Sequence, residues 1–523
     1  MATVGSVLDW AAHNFPNKLG LVYEAKGHRW TFREWNEQVN RLAHSLLALG
    51  VKKGDVISAF LYNSSEFTVA LFAAAKIGAV YNPINYRLTA NELGYILSDA
   101  DTQVLLFERD TTPVVDAVRA AGAGVAHYID IDEQGLAGTL SFYDLLANDA
   151  VHAPAVVVAD ADPYIMLYTS GTTGRPKGVV HNHHSKVHHN FIMMQCMGLN
   201  KNDVGLSVAP LNHIAELHTS FLPRVHVGAT NIILRQFDAE EVLRTIETAG
   251  VTHVFAAPTM VNYLLNHPQF ARFDLSSLRL LGYGGASMAP VLIKRFSEQT
   301  NAELVQMFGT TEMGPVMSVL YADEQLSHAG SAGKATLTHE IKVVRIQEDG
   351  SPSHPDDECG VDEVGEIVVR GPCMMAGYHN RPEATEKALA YGWYHTGDVG
   401  RCDADGYVWI SDRMDYMINS GAENIYPREV EDCLLTHAGV LDVAVVAQPD
   451  EVWGQTVAAF VVVKPEAQLD ALKLDAFLLE GERLAKYKRP RHYYFVDDLP
   501  KTTSGKLQKF VLAQSLKQAA LGQ

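Results

Sequence analysis

Short apolar runs alternate with amphipathic stretches along most of the chain. Gln103–Phe107, Tyr164–Tyr168, Asn231–Leu234, His253–Ala256, Leu278–Leu281 and Leu304–Phe308 are brief, mostly apolar segments, the pattern of strands buried on both faces. Between several of them lie segments of helical periodicity, such as Asp238 to Thr248 and Ala289 to Gln299. The alternation predicts α/β layering with largely parallel sheets.

After about residue 335 the rhythm changes. His339–Arg345 and Gly365–Gly371 read as strands with no helix between them, joined by a polar loop around Ser351 to Glu358. A last segment mixes the apolar runs Val440–Val446 and Val457–Val463 with helices. The expected organisation is an α/β chain. A large N-terminal domain (1–412) of layered parallel sheets carries a β subdomain at about 335–412, and a small α+β C-terminal domain follows (413–523).

Composition narrows the class. With 523 residues the chain exceeds one ordinary core, and 47% hydrophobic with 20% charged residues is a soluble globular profile. A formal charge of −19 argues against nucleic acid or an anionic membrane as main partner, since both require basic surfaces. Five cysteines (Cys196, Cys359, Cys373, Cys402, Cys433) at wide, irregular spacing fit neither a disulfide framework nor paired zinc knuckles. There is no basic segment leading into an apolar run at the start, and no apolar stretch long enough to cross a bilayer. A cytoplasmic protein without integral membrane association is expected, and a homodimer is left open.

Candidate chemistry enters at Tyr168-Thr-Ser-Gly-Thr-Thr-Gly-Arg-Pro-Lys-Gly178, directly after an apolar strand. Gly171, Gly174 and Gly178 allow backbone N–H groups to converge on an anion. Thr169, Ser170, Thr172 and Thr173 add hydroxyls, and Lys177 a positive charge. This is a phosphate cradle but not the G-x-x-x-x-G-K-[S/T] loop of P-loop NTPases, because Lys177 lies between Pro176 and Gly178.

The loop resembles the signature of the adenylate-forming superfamily: acyl- and aryl-CoA ligases, peptide-synthetase adenylation domains and beetle luciferases. Further segments resemble that family's motifs in order. Gly282-Tyr-Gly-Gly-Ala-Ser287 matches its adenine-binding turn, implying contacts from Gly284, Gly285 and Ala286. Gln306-Met-Phe-Gly-Thr-Thr-Glu312 implies nucleotide contacts from Gln306, Gly309 and Thr310, with Phe308 stacked on adenine, Thr311 on the α-phosphate and Glu312 on Mg²⁺. The family commonly has Tyr at position 308, and Phe keeps the flat face.

Tyr394-His-Thr-Gly-Asp398 matches the ribose motif; a carboxylate at Asp398 offers two acceptors to a vicinal diol. Asp412-Arg-Met-Asp-Tyr416 implies Arg413 on ribose or phosphate and Asp415 as the hinge of a mobile C-terminal domain. Tyr416 departs from the usual acidic residue. Ser420, Gly421 and Ala422 open the segment Ser420–Pro427 that resembles the loop facing the pantetheine tunnel, with Ala422 where many relatives have Gly. Pro500-Lys-Thr-Thr-Ser-Gly-Lys506 ends in the lysine implied to bridge the attacking carboxylate and the α-phosphate, where a placed cation lowers the barrier between two anions.

The resemblance spans essentially the whole chain and implies an acid:CoA ligase using ATP, Mg²⁺ and coenzyme A. Transfer of the acyl group to a carrier protein or amine, or a non-catalytic nucleotide-binding module, are the alternatives. A basic block over residues 483–509 suits polyanionic substrates or forms an ordinary solvated face. Ala209-Pro-Leu-Asn-His213 resembles the family's carboxylate-pocket segment, with His213 as the gating residue. Ile214, Tyr283, Met307, Met313 and Val316 predict an apolar pocket for a fatty or aryl acid. In His181–His189, His184 and His188 share one helix face; a helix packed beneath the phosphate loop is favoured there over a metal site.

Overall fold

A computed structural model describes residues 2–169, 176–286, 288, 290–347, 349–413, 416–420, 423–450, 453–480, 484–501 and 507–521, the side chains of 412, 413, 419, 423, 424 and 517–521 excepted. Cα packing divides the chain into two units, Met1–Ile341 with Val369–Tyr394, and Lys342–Val368 with His395–Gln523. The expected boundary at 412/413 falls inside the second unit.

The first unit contains two large sheets. One has nine strands in the order Lys334–Ala335, Val316–Leu320, Glu303–Gly309, Leu280–Gly284, His253–Ala256, Val204–Ser207, Thr230–Ile233, Leu19–Tyr23, His28–Thr31. The six strands from Glu303–Gly309 to Leu19–Tyr23 are mutually parallel, and the flanking pairings are antiparallel. The other has eight strands, parallel from Pro163–Thr169 through Val80–Pro83, Val56–Phe60, Thr102–Phe107 and His127–Asp130 to Leu140–Ser141. Its remaining edge turns antiparallel through Lys177–Asn182 and Gly377–Tyr378.

The helices form where local chemistry sets their ends. Ala239–Ala249, predicted at 238–248, starts where the Asp238 side chain accepts the Glu241 N–H at 2.9 Å and stops at Gly250, φ +64°. It buries Val242, Leu243 and Ile246 against the nine-stranded sheet, each worth about 1.5–3 kcal/mol of transfer free energy at most. Ser65–Ile77 is buried on every side and anchors the core over the eight-stranded sheet. His183–Cys196 begins at Asn182, whose Oδ1 accepts the Ser185 N–H at 2.8 Å.

In the second unit, Gly365–Arg370, Tyr394–Cys402 and Val408–Arg413 belong to a four-stranded sheet with Glu340–Val344, and the division between units runs through its strands. The other sheet runs Glu423–Ile425, Ile418–Ser420, Gly454–Val463, Val440–Asp450, with His492–Phe495 parallel to Gly454–Val463. Pro427–Leu435 and Ala471–Leu479 cover one face, and Leu512 and Leu516 of the last helix pack on the other. This is the small α+β layer that the apolar runs predicted. Among the described residues no helix is long and apolar enough to cross a membrane, and all five cysteines are free.

Candidate functional site

In an open parallel sheet, ligand crevices form beyond the carboxyl ends of the strands, where the chain leaves for its next helix or turn. Two parallel neighbours of the nine-stranded sheet deliver expected residues there. Leu280–Gly284 ends in buried Gly284, then exposed Gly285 (φ +80°) and Ala286. A Cβ at Gly284 would lie 2.5 Å from the Met307 carbonyl oxygen, so only glycine allows these strands to approach so closely.

Glu303–Gly309 ends in half-buried Phe308 and exposed Gly309, followed by Thr310 and a 3₁₀ turn over Thr311–Met313. Thr311 and Glu312 are partly exposed. Gln306 faces the interior, where its Oε1 accepts the Tyr283 hydroxyl at 2.8 Å. Tyr283 is likewise buried, as are Ile214, Met307, Met313 and Val316.

The glycine-rich loop springs from the edge of the other sheet. Thr169 closes the strand Pro163–Thr169 and pairs with Lys177, the first residue of the returning strand. Ser170, Gly171, Thr172, Thr173 and Gly174 lie outside the described residues. The two stems of the loop are tied together. Tyr168 donates its hydroxyl to Asp99 Oδ2 (2.8 Å), Arg381 donates to Asp99 Oδ1 (2.7 Å), and the Tyr95 hydroxyl donates to the Pro176 carbonyl (3.2 Å). Burial and the Asp99 carboxylate raise the Tyr168 phenol far above its ordinary pKa, so it remains a donor.

Tyr378 joins the loop's exit to the Glu312 turn. The Lys177 ammonium lies 4.6 Å from the Tyr378 ring centroid, while the Tyr378 hydroxyl donates to Glu312 Oε1 at 2.9 Å. The backbone of the same segment helps, since the Met375 N–H donates to the Glu312 carbonyl at 2.7 Å. Sequence reading missed Tyr378; it stands in a two-residue strand with no motif of its own.

His213 is exposed and precedes a π-helix, Ala215–Phe221, whose opening N–H it accepts through Nδ1 at 3.3 Å. Such wide turns occur often at functional sites. Asn212 is anchored by donating to the Ile84 carbonyl at 3.1 Å, and buried Asn63 holds the Ala209 carbonyl at 3.0 Å.

The second unit has its own group of expected residues. Asp398 is 5% exposed; its N–H donates to Thr396 Oγ1 (2.9 Å), whose hydroxyl donates to the Ile367 carbonyl (2.7 Å). It faces Arg413 in strand register, and the Arg413 side chain lies outside the description, as do Asp415, Gly421, Ala422 and Lys506. Ser420 ends the strand Ile418–Ser420 opposite Glu423. Four of the eight basic residues of the block are paired within the unit: Lys488 with Glu429 (2.7 Å), Arg489 with Asp475, Lys501 with Asp442 (2.5 Å) and Lys509 with Glu431 (2.9 Å).

A fit for a hard cation rests on Glu312. Its Oε1 is engaged by a neutral donor, and Oε2 accepts no hydrogen bond from the described residues. No group of three or more His, Cys, Asp or Glu side chains among the described residues is arranged to hold a metal. A single carboxylate joined through Tyr378 to Lys177, at the exit of the glycine-rich loop, suits Mg²⁺, which binds through one or two carboxylates plus substrate phosphates and keeps several waters.

The profile of the AMP-binding enzyme family matches residues 8–379, and that of the AMP-binding enzyme C-terminal domain matches 429–506. The chain is 35% identical over 517 residues to a long-chain-fatty-acid–CoA ligase of Mycobacterium tuberculosis, covering 98% of each chain. It is 37% identical over 483 residues to a feruloyl-CoA synthase of an Amycolatopsis species, covering 92% of this chain and 93% of that one. Among solved structures it resembles an anthranilate CoA ligase in complex with anthranoyl-AMP, with a TM-score of 0.89 and 27% identity over 99% of this chain and 98% of that one.

Proposed function

This chain belongs to the AMP-binding enzyme family, and we propose that it is an ATP-dependent acid:CoA ligase. A substrate carboxylate attacks the α-phosphate of ATP and pyrophosphate leaves, giving an acyl-adenylate. The thiol of coenzyme A then attacks the acyl carbonyl, giving the thioester and AMP. The observation that carries this reading is Tyr378, which ties the exit of the glycine-rich loop to the Glu312 turn through one ring and one hydroxyl.

In this reading Thr169, Ser170, Gly171, Thr172, Thr173, Gly174 and Lys177 hold the phosphates. Gly284, Gly285, Ala286, Gln306, Phe308, Gly309 and Thr310 form the nucleotide side, Phe308 through its flat ring. Thr311 donates toward the α-phosphate, and Glu312 is the carboxylate that would hold Mg²⁺. When bound, that ion neutralises charge on the departing pyrophosphate. Asp398 takes the ribose, Arg413 the ribose or a phosphate, His213 gates the acid, and Lys506 bridges the attacking carboxylate and the α-phosphate. Asp415 is the hinge. Ser420, Gly421 and Ala422 serve the thiol step. The functional division falls at 412/413, between the stretches matched by the two family profiles.

The acid is fatty or aryl, because Ile214, Met307, Met313 and Val316 are apolar and the relatives above carry fatty-acid and feruloyl names. The test is a panel of carboxylic acids assayed for pyrophosphate and acyl-CoA, with hydroxylamine trapping when CoA is omitted. Pyrophosphate with a monocarboxylic fatty or aryl acid, and a thioester only with CoA, is the expected result. No pyrophosphate with any acid overturns the adenylation reading; adenylate without thioester moves the acceptor to a carrier or amine.

A further inference from the structure

Lys186 breaks two physical rules at once. It lies in the first turn of the helix His183–Cys196, where the helix dipole disfavours a cation, and its side chain is fully buried. Among the described residues it makes no ion pair. Its Nζ donates to the Gly314 carbonyl at 2.9 Å. Local rules broken this sharply mark a site under functional demand.

Two neighbours act on the same turn. His181 Nε2 lies 2.7 Å from the Thr311 carbonyl oxygen, so that nitrogen carries the proton. His189 Nε2 accepts the Val316 N–H at 3.2 Å, so that nitrogen is bare and the proton sits on Nδ1. The two imidazoles are neutral, as opposite tautomers, and burial holds both far below the usual imidazole range. The titratable groups around Lys186 are His181, His189, His218, His339 and Cys373, none of them an acid that ionises readily here. The packing leaves no slack. Gly314 has φ +83°, and a Cβ there would lie 2.2 Å from Lys186 Nζ and 2.8 Å from the Cys373 carbonyl oxygen.

We propose that Lys186, His181 and His189 form a buried positioning scaffold that fixes the turn over residues 310–316, and with it the aim of Thr311 and Glu312 during adenylate formation. The role in turnover rests on the ligase reading above. From three positions within residues 181–189, side chains satisfy two carbonyls and one amide of that turn. Met375 and Tyr378 hold Glu312 independently.

The test compares Lys186→Met, which keeps the apolar stem as far as Cε and loses the Nζ donor, with Lys186→Gln, whose amide N–H takes the Cε position, one bond nearer the backbone, and donates without the charge. Hydrogen exchange of peptides spanning 310–316 is read in the ligand-free protein. Exchange at least tenfold faster in Lys186→Met, with Lys186→Gln within threefold of wild type, is expected. In ATP–pyrophosphate exchange, Lys186→Met should raise the half-saturating Mg²⁺ concentration at least fivefold while the acid KM stays within twofold. Wild-type protection in Lys186→Met, or equal loss in both variants, overturns the scaffold. Should Lys186→Met fail to fold, His181→Phe against His181→Gln reads the same contrast at the Thr311 carbonyl. The exchange readout needs no turnover, so a wild type that adenylates no acid sinks the ligase reading while the scaffold is still decided.

Discussion

Glu312 divides its carboxylate between two tasks, with Oε1 on the Tyr378 hydroxyl at 2.9 Å and Oε2 free of the described donors. A hydrogen bond to a charged group is worth about 1.5–3 kcal/mol. Tyr378→Phe removes that bond but keeps the ring under Lys177, 4.6 Å away. We expect the rate of ATP–pyrophosphate exchange to fall roughly ten- to a hundredfold, with the melting temperature lowered by no more than about several degrees, and Glu312→Gln to cost more activity than Tyr378→Phe. A Tyr378→Phe enzyme with wild-type exchange would remove Tyr378 from the site. None of this was legible in sequence, because the bond spans 66 positions and the Lys186–Gly314 bond spans 128. Residue types at fixed spacing reveal a turn; they do not reveal what braces it.

At the level of elements, strands were the legible part, since a strand buried on both faces must be apolar throughout. Tyr164–Tyr168 and His253–Ala256 are strands as expected. The run Leu278–Leu281 becomes the strand Leu280–Gly284, two residues later at its start and three at its end, where parallel pairing with Glu303–Gly309 rather than apolarity sets the limit. The helix at 183–196 is less legible in its first half, where His183, Ser185, Lys186, His189 and Asn190 face inward with Val187 and the run of apolar buried positions starts only at Ile192. The i,i+4 pair His184 and His188 looks outward, to Asp160 (3.4 Å) and Thr338 (3.1 Å). Strand ends also predict which glycines tolerate change. A Cβ at Gly309 would lie 1.6 Å from the Pro315 carbonyl oxygen, so Gly309→Ala must displace the Thr311–Glu312 turn. Gly94, inside the helix Ala90–Asp99, has nothing within 4 Å of a Cβ and no left-handed φ. We expect Gly94→Ala to raise stability by about 0.5–1 kcal/mol with activity intact, and Gly309→Ala to abolish adenylation. Denaturant midpoints together with pyrophosphate exchange decide both, and an active Gly309→Ala enzyme would show that the bend yields.

Across the molecule, buried imidazoles set the response to acid. His181, His189, His218 and His253 are held far below 6.5 by burial, and His183 and His339 are pushed down to about 4. Each takes a proton near pH 6.5 when unfolded but stays neutral in the fold, so between about pH 4 and 6.5 the unfolded state binds more protons and stability drops as pH falls. Buried Glu108 and Glu216 oppose this: pushed up to about 7, they keep protons in the fold that the unfolded chain releases above about pH 4.5. All eight groups belong to the first packing unit. Six imidazoles outnumber two carboxyls, and each net proton is worth about 1.4 kcal/mol per pH unit. Protonation of surface carboxylates also relieves a charge of −19, a term reduced by screening at moderate salt. Calorimetry at about 0.3 M salt, where screening is strong, should therefore show the transition of the first unit falling by at least several degrees between pH 7 and 5.5. His218→Asn should flatten that slope, because the His218 ring makes no hydrogen bond among the described residues and its removal takes away a titration without unmaking a bond. A melting temperature flat or rising toward acid would mean that these imidazoles meet water in solution, and would remove the neutral tautomers assigned to His181 and His189.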